Sequence, residues 1–267
     1  MSDFEWVAVY TLLGGFVGFM SGLLGVGGGG ILVPLLTSIF LYQGADIDNV
    51  VHLALGTSLA CMIISSTASI RAHASKQNVS WAIFASMTPG IIVGAFITTH
   101  MATHINSLYL SIFFAFFMAL IAGMMFFNWQ PKTSATPTKL RDLIFVGTGI
   151  GTISALAAVG GGFLTISYLS YKNFPMRKAV GTSSAIGFPI AIAGTIGYMV
   201  SGWSKTTDDP HTFGFICVPA FLAISISSFI AAPYGAACAQ KLSDMHLKKI
   251  FAAVSLALSL KMFLSFV

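Results

Sequence analysis

Between Gln77 and Pro131 the chain carries no Asp, Glu, Lys or Arg for 55 residues, and between Trp6 and Ala45 none for 40. Further charge-free runs cover Asn49–Ile70, Leu143–Tyr171, Ala179–Ser204 and Pro210–Gln240. About 20 apolar residues in a helix cross the hydrocarbon core of a bilayer. Lipid offers backbone groups no water to bond, so runs that face it must be helical. Only 8% of the 267 residues are charged and 56% are hydrophobic, too few charges to coat a soluble body. A soluble enzyme, a nucleic-acid-binding protein and a disordered chain are thereby excluded. The chain reads as an all-α integral membrane protein, and its net charge of +5 bears on topology rather than on a nucleic-acid partner. The first run follows Asp3 and Glu5 instead of a basic leader, so it reads as a retained span and not a cleaved signal peptide.

Turn and charge signals divide the apolar runs into ten segments: Trp6–Leu24, Ile31–Tyr42, Val50–Ile70, Trp81–Met101, Leu108–Phe127, Leu143–Val159, Phe163–Tyr171, Ala179–Gly202, Phe213–Cys238 and Leu247–Val267. A polar linker, 128–142, with Pro131, Lys132, Pro137, Lys139 and Arg141, separates a first transmembrane repeat at 1–127 from a second at 143–267. The limbs Ile31–Tyr42 and Phe163–Tyr171 are short for a crossing, at about 18 and 14 Å by helical rise. Eight to ten membrane helical segments are therefore expected, with Gly-broken hairpins among them.

The halves repeat one another. Gly14, Gly18 and Ser21, followed by Val26-Gly27-Gly28-Gly29, recur 133 residues later as Gly147, Gly151 and Ser154, followed by Val159-Gly160-Gly161-Gly162. Gly56-Thr57-Ser58 recurs at an offset of 125 as Gly181-Thr182-Ser183, and Pro89 pairs with Pro219. Equivalent loops change charge character between the copies. Loop 43–49 holds Asp46 and Asp48, whereas 172–178 holds Lys172, Arg177 and Lys178; loop 71–79 holds Arg71 and Lys76, whereas 203–212 holds Asp208 and Asp209 against Lys205. Since Lys and Arg in short loops mark the cytoplasmic side, the spacing predicts two inverted-topology repeats, an arrangement used by secondary transporters. The N-terminus is then outside and the central linker cytoplasmic.

Chemistry in such a bundle falls to backbone and hydroxyl groups, because no carboxylate lies within an apolar run and intramembrane charges are the usual mark of ion pathways. The run Gly25-Val26-Gly27-Gly28-Gly29-Gly30 matches a dinucleotide fingerprint only formally, with no βαβ unit around it; no cofactor, metal or catalytic residue is expected. Two readings of the Gly clusters compete. In one, Gly serves close helix packing; in the other, a helix break opens unpaired N–H groups and the positive end of a helix toward an anion. Matching placement in inverted halves favours the second, and makes Gly27, Gly28, Gly29, Gly30, Gly160, Gly161 and Gly162 candidate substrate-binding residues. Thr57, Ser58, Thr182 and Ser183 join them as hydroxyl donors, although each hydroxyl could equally bond back to its own helix. His52, at the start of a span, is the candidate titrating group, with a seat at the membrane interface as its alternative. Lys261 can snorkel to the surface, Pro34, Pro89, Pro189 and Pro219 are assigned to kinks or helix starts, and Cys61, Cys217 and Cys238 to small apolar packing.

The stretch from Gly18 through Ser21-Gly22 and Gly25-Val26-Gly27-Gly28-Gly29-Gly30 to Pro34, with Gly56-Thr57-Ser58 and a diverged second copy, resembles the sulfite exporter TauE/SafE family over essentially the whole chain. The second copy departs from the signature, with Ala155, Ala157 and Ala158 where the first has Gly22, Leu24 and Gly25. The resemblance implies a multi-pass secondary transporter of small sulfur-containing oxyanions such as sulfite or organosulfonates, in the inner or plasma membrane. The expectation is an alternating-access exporter, its proton carried on the substrate as hydrogen sulfite; a passive anion channel and a membrane accessory subunit without flux are the alternatives. The partners expected are a small anionic substrate and the lipid bilayer, with no nucleic acid; a homo-oligomer is left open.

Overall fold

A computed structural model describes residues 3–24, 27–127, 140–203, 205, 210–239, 241–242 and 244–265. Gly25, Val26, Asp208, Asp209 and the linker over 128–139 lie outside the described residues. The described residues form ten helices: α1 Asp3–Leu24, α2 Gly29–Tyr42, α3 Val50–Ala74, α4 Trp81–Ala102, α5 Ser107–Phe126, α6 Leu140–Leu156, α7 Gly162–Tyr171, α8 Met176–Gly202, α9 Val218–Ala239 and α10 Asp244–Leu264. Six of them, α1, α3, α4, α5, α8 and α9, are long and apolar enough to cross a membrane. Of the rest, α6 has 17 residues, α2 14 and α7 10, while α10 has 21 but carries Asp244, Lys248, Lys249 and Lys261.

Polarity is distributed as a bilayer demands. Ile112, Phe116 and Leu120 form an exposed apolar stripe along α5 at four-residue spacing, and Leu222, Ile226 and Ile230 form another along α9. Hydroxyls turn inward instead: Thr57, Ser58, Thr99, Ser107, Ser154, Thr165, Thr182 and Ser183 are all buried. Where lipid is as apolar as the side chains, burial of Leu or Phe gains little, and close contact of small residues holds helices together. The most buried spans are α3 and α8, which pack on each other at the centre of the bundle. Around them α1 packs on α9, α4 on α6 and α5 on α10, with α2 on α3 and α7 on α8.

The α1–α9 and α4–α6 contacts are where glycine is required. A Cβ on Gly14, Gly18 or Gly22 of α1 would run into the backbone of Ile224, Ser228 or Ala232 in α9. On α6, a Cβ at Gly147 would lie 2.6 Å from the Met87 carbonyl oxygen and one at Gly151 2.5 Å from that of Ile91. Gly90 and Gly94 of α4 answer from the other side, meeting the Ile144 and Thr148 carbonyls. The repeated Gly14/Gly18 and Gly147/Gly151 thus serve packing, each pair against a helix of the other half.

Helix ends differ from the sequence expectation by up to five residues, and two of these differences have a clear cause in the backbone. The ninth segment does not begin at Phe213. Gly214 takes φ 58°, the Phe213 N–H donates to the Ile216 carbonyl at 2.8 Å, and Thr212 pairs with Cys217 across a short reversal. Apolar composition there marks a buried loop, and α9 starts at Val218 with Pro219 in its first turn, where a missing N–H costs nothing. The sixth segment stops at Leu156 rather than Val159, because the chain reverses through Ala158 at φ 47°. Pro34, Pro89 and Pro189 lie inside α2, α4 and α8.

Candidate functional site

Both Gly clusters interrupt a hairpin in the same way. Gly28 caps α2 in the left-handed region at φ 73° and Gly161 caps α7 at φ 67°, neither with a side-chain cap. An L-residue in that region costs about 1–2 kcal/mol, so glycine is the residue that lets a short helix restart there. Gly27 shares the left-handed region at φ 78°, and its carbonyl receives the Ser65 hydroxyl of α3 at 3.2 Å.

The two breaks lie against each other. A Cβ on Gly29 would collide with the Ala158 carbonyl, one on Gly30 would stand 3.0 Å from Val159 Cγ2, and one on Gly27 3.9 Å from Gly160 Cα. Gly187 of α8 closes on Gly160 from the other side. Gly27, Gly28, Gly29, Gly30, Gly160, Gly161 and Gly162 are therefore one neighbourhood. A cavity of about 10 Å³ remains beside it, lined by Met20, Ser21, Gly28, Gly30, Met118 and Val159 among others. That is room for about one water.

The Gly-Thr-Ser segments have a different geometry. The Cys217 N–H, just before α9, donates to Thr57 Oγ1 at 3.0 Å, and the Ser80 N–H, just before α4, donates to Thr182 Oγ1 at 2.9 Å. Gly56 lies under the Phe215 carbonyl and Gly181 under that of Asn78. In each half the motif admits a loop of the opposite half and ties down an N–H just before a span there, which would otherwise lack a partner. Ser183 donates to its own helix at Val180, 2.8 Å away, while the buried Ser58 hydroxyl has no partner. Thr57 is about 12 Å along α3 from Ser65, the residue that touches the first break. Thr57 and its neighbour Ser58 thus do not join the glycines in one cluster.

His52, near the start of α3, is buried. Its Nε2 lies 3.0 Å from the Ala102 carbonyl, its Nδ1 3.4 Å from Ser107 Oγ, and its ring stacks on Phe215. It forms part of the floor of an open vestibule of about 410 Å³ that also includes Asp46, Asp48, His104, Asn106 and Lys205. Lys205 Nζ donates to the Thr103 carbonyl at 2.8 Å, and the Ser107 hydroxyl to the Asp48 carbonyl at 2.7 Å. Loops 43–49 and 103–106 and residue 205 therefore gather at one end of the bundle. Cys61 and Cys217 are buried and outside any disulfide, Cys238 is partly buried, and Lys261 is exposed.

A family described as sulfite exporter TauE/SafE matches residues 10–262. The chain belongs to the TauE/SafE family. Over 265 residues it is 30% identical to a probable membrane transporter protein of Haemophilus influenzae, covering 98% of this chain and 99% of the relative. It is 31% identical over 261 residues to a probable membrane transporter protein of Methanocaldococcus jannaschii, covering 94% of each. No solved structure matches it. This TauE/SafE protein is thus a multi-pass membrane transporter and not an enzyme.

Two kinds of group escaped the sequence reading of this TauE/SafE chain. The partners of Thr57 and Thr182 are backbone N–H groups of Cys217 and Ser80, which no side-chain motif could announce. The other is Thr165 of α7, fully buried with a hydroxyl that has no partner. In the sequence it stands out only as the absence of an apolar residue where the first copy has Leu32.

Proposed function

We propose that this TauE/SafE protein exports a small sulfur-containing oxyanion, sulfite or an organosulfonate, by alternating access between two inverted-topology repeats. The observation that carries the reading is the pair of left-handed glycine caps, Gly28 and Gly161, that start α2 and α7 where the two breaks touch. Helix N-termini present unpaired N–H groups and positive dipole ends, which suit an anion without a lysine. Gly27–Gly30 and Gly160–Gly162 form the seat, and Thr57, Ser58, Thr182 and Ser183 shape the spans around it.

Inversion is supported by exchange of partners. With α1–α5 matched to α6–α10, the pair α1–α9 corresponds to α6–α4, and α3–α8 and α5–α10 correspond to themselves. Thr57 on Cys217 corresponds to Thr182 on Ser80 in the same way. The loop charges then place the N-terminus outside and the linker on the cytoplasmic side of the inner or plasma membrane. A cavity of about 10 Å³ at the breaks fits an occluded carrier better than an open channel. A proton travelling on hydrogen sulfite supplies coupling without an intramembrane carboxylate.

Purified protein in liposomes tests the reading. Saturable sulfite flux that follows a pH gradient is the expected result; ohmic current would make the protein a channel, and absence of anion flux under any gradient would remove both. Replacing Gly28 or Gly161 by Val is expected to abolish flux with membrane insertion intact, whereas normal flux in both variants would move the seat elsewhere.

A further inference from the structure

We infer that within the seat formed by the two breaks the N-terminus of α7 makes the direct contact with the anion, and that the Thr165 hydroxyl is a direct ligand of the bound oxyanion; this rests on the export reading above. Several helical threonines in this protein bond to the carbonyl four residues back. Thr37, Thr67, Thr88, Thr99 and Thr148 all do so, at 2.7 to 3.0 Å. Thr165 does not. Its N–H reaches the Gly161 carbonyl at 2.8 Å, but its hydroxyl is unpartnered and fully buried. That hydroxyl lies 3.5 Å from the point where a Cβ of Gly161 would stand, so it is held over the left-handed cap at the end of α7 where the helix leaves its N–H groups unpaired.

Gly162, the first residue of α7, is buried, yet a Cβ built on it would meet nothing within 4 Å. The matching residue in the first half, Gly29, has that place filled by the Ala158 carbonyl. A carbonyl oxygen at the start of α2 presents its negative end where an anion would sit, whereas at α7 the Gly162 position is open and the Thr165 hydroxyl, more than 4 Å from it, stands over the Gly161 cap. A buried hydroxyl without a partner is costly, and an oxyanion oxygen is the acceptor that relieves it. The class of ligand is a small oxyanion with several acceptor oxygens.

Sodium sulfite is the probe, with wild type, Thr165→Val and Thr165→Ser in proteoliposomes and in detergent. Thr165→Val keeps the shape and removes the donor, so KM for sulfite is expected to rise about tenfold, the equivalent of one hydrogen bond, with the maximal rate within about twofold of wild type. Thr165→Ser is expected to restore the wild-type KM. Without sulfite, Thr165→Val is expected to melt no lower than wild type, because the hydroxyl has no protein partner to lose. A wild-type KM in Thr165→Val overturns the assignment. So does a sulfite-free melting temperature several degrees lower, which would make the hydroxyl structural. If wild type itself moves neither sulfite nor an organosulfonate, the export reading fails first, and that result is separable because it does not involve the variants.

Discussion

At the scale of single residues, one threonine in each half does the same job for the opposite half. Thr57 accepts the buried Cys217 N–H at 3.0 Å and Thr182 the partly buried Ser80 N–H at 2.9 Å. Thr57→Val or Thr182→Val leaves that N–H without a partner, a loss of about 1–3 kcal/mol. Thermal unfolding of purified protein is expected to show the drop, and the Ser variants to recover most of it. The left-handed caps behave differently. Gly28→Ala forces an L-residue to φ 73° with Val17 Cγ1 3.1 Å from the new carbon, and Gly161→Ala adds a 2.8 Å approach to Ile190 Cδ1. Each is expected to cost at least about 1–2 kcal/mol in the same measurement, and Gly161→Ala the more of the two.

Among the elements, glycine divides into two populations that composition alone cannot separate. On α1 and α6, Gly18 and Gly151 face the backbone of a partner helix, whereas Gly15 and Gly149 on the same helices face open space. Gly18→Ala or Gly151→Ala is expected to pry apart α1–α9 or α4–α6 and lower the melting temperature. Gly15→Ala and Gly149→Ala remove a flexible position from a helix interior and are expected to raise stability by about 0.5–1 kcal/mol. Equal effects at all four positions would contradict this division. The two helix pairs so locked join one half to the other, and the short α2 and α7 restart between them and the central α3–α8 pair.

For the whole molecule, the two-fold pattern of helix partners and the alternation of loop charge make one joint prediction about sidedness. Asp46→Cys and Lys172→Cys, in a background with Cys61, Cys217 and Cys238 replaced, are expected to react with a membrane-impermeant maleimide from opposite faces. Labelling of both from one face would break the inverted topology. Much of this was legible in order along the chain. Charge-free runs as long as 55 residues admit only helices in lipid, and helix ends within a few residues of the expected ones followed from turn residues and charges. The misplaced start of α9 shows where such reading stops. Phe213–Cys217 is apolar, and only the reversal at Gly214 shows it to be loop. The offset of 133 between Gly14/Gly18 and Gly147/Gly151 was visible, but the carbonyls those residues meet belong to α9 and α4, far away in sequence. The sequence by itself determined membrane residence, helical class and the positions of the two breaks, since each depends on local composition and on what lipid denies the backbone. Which hydroxyl has a partner, and where open space remains beside the breaks, was decided by the tertiary structure alone, because a hydrogen bond to a backbone N–H and the room beside Gly162 depend on distance in space.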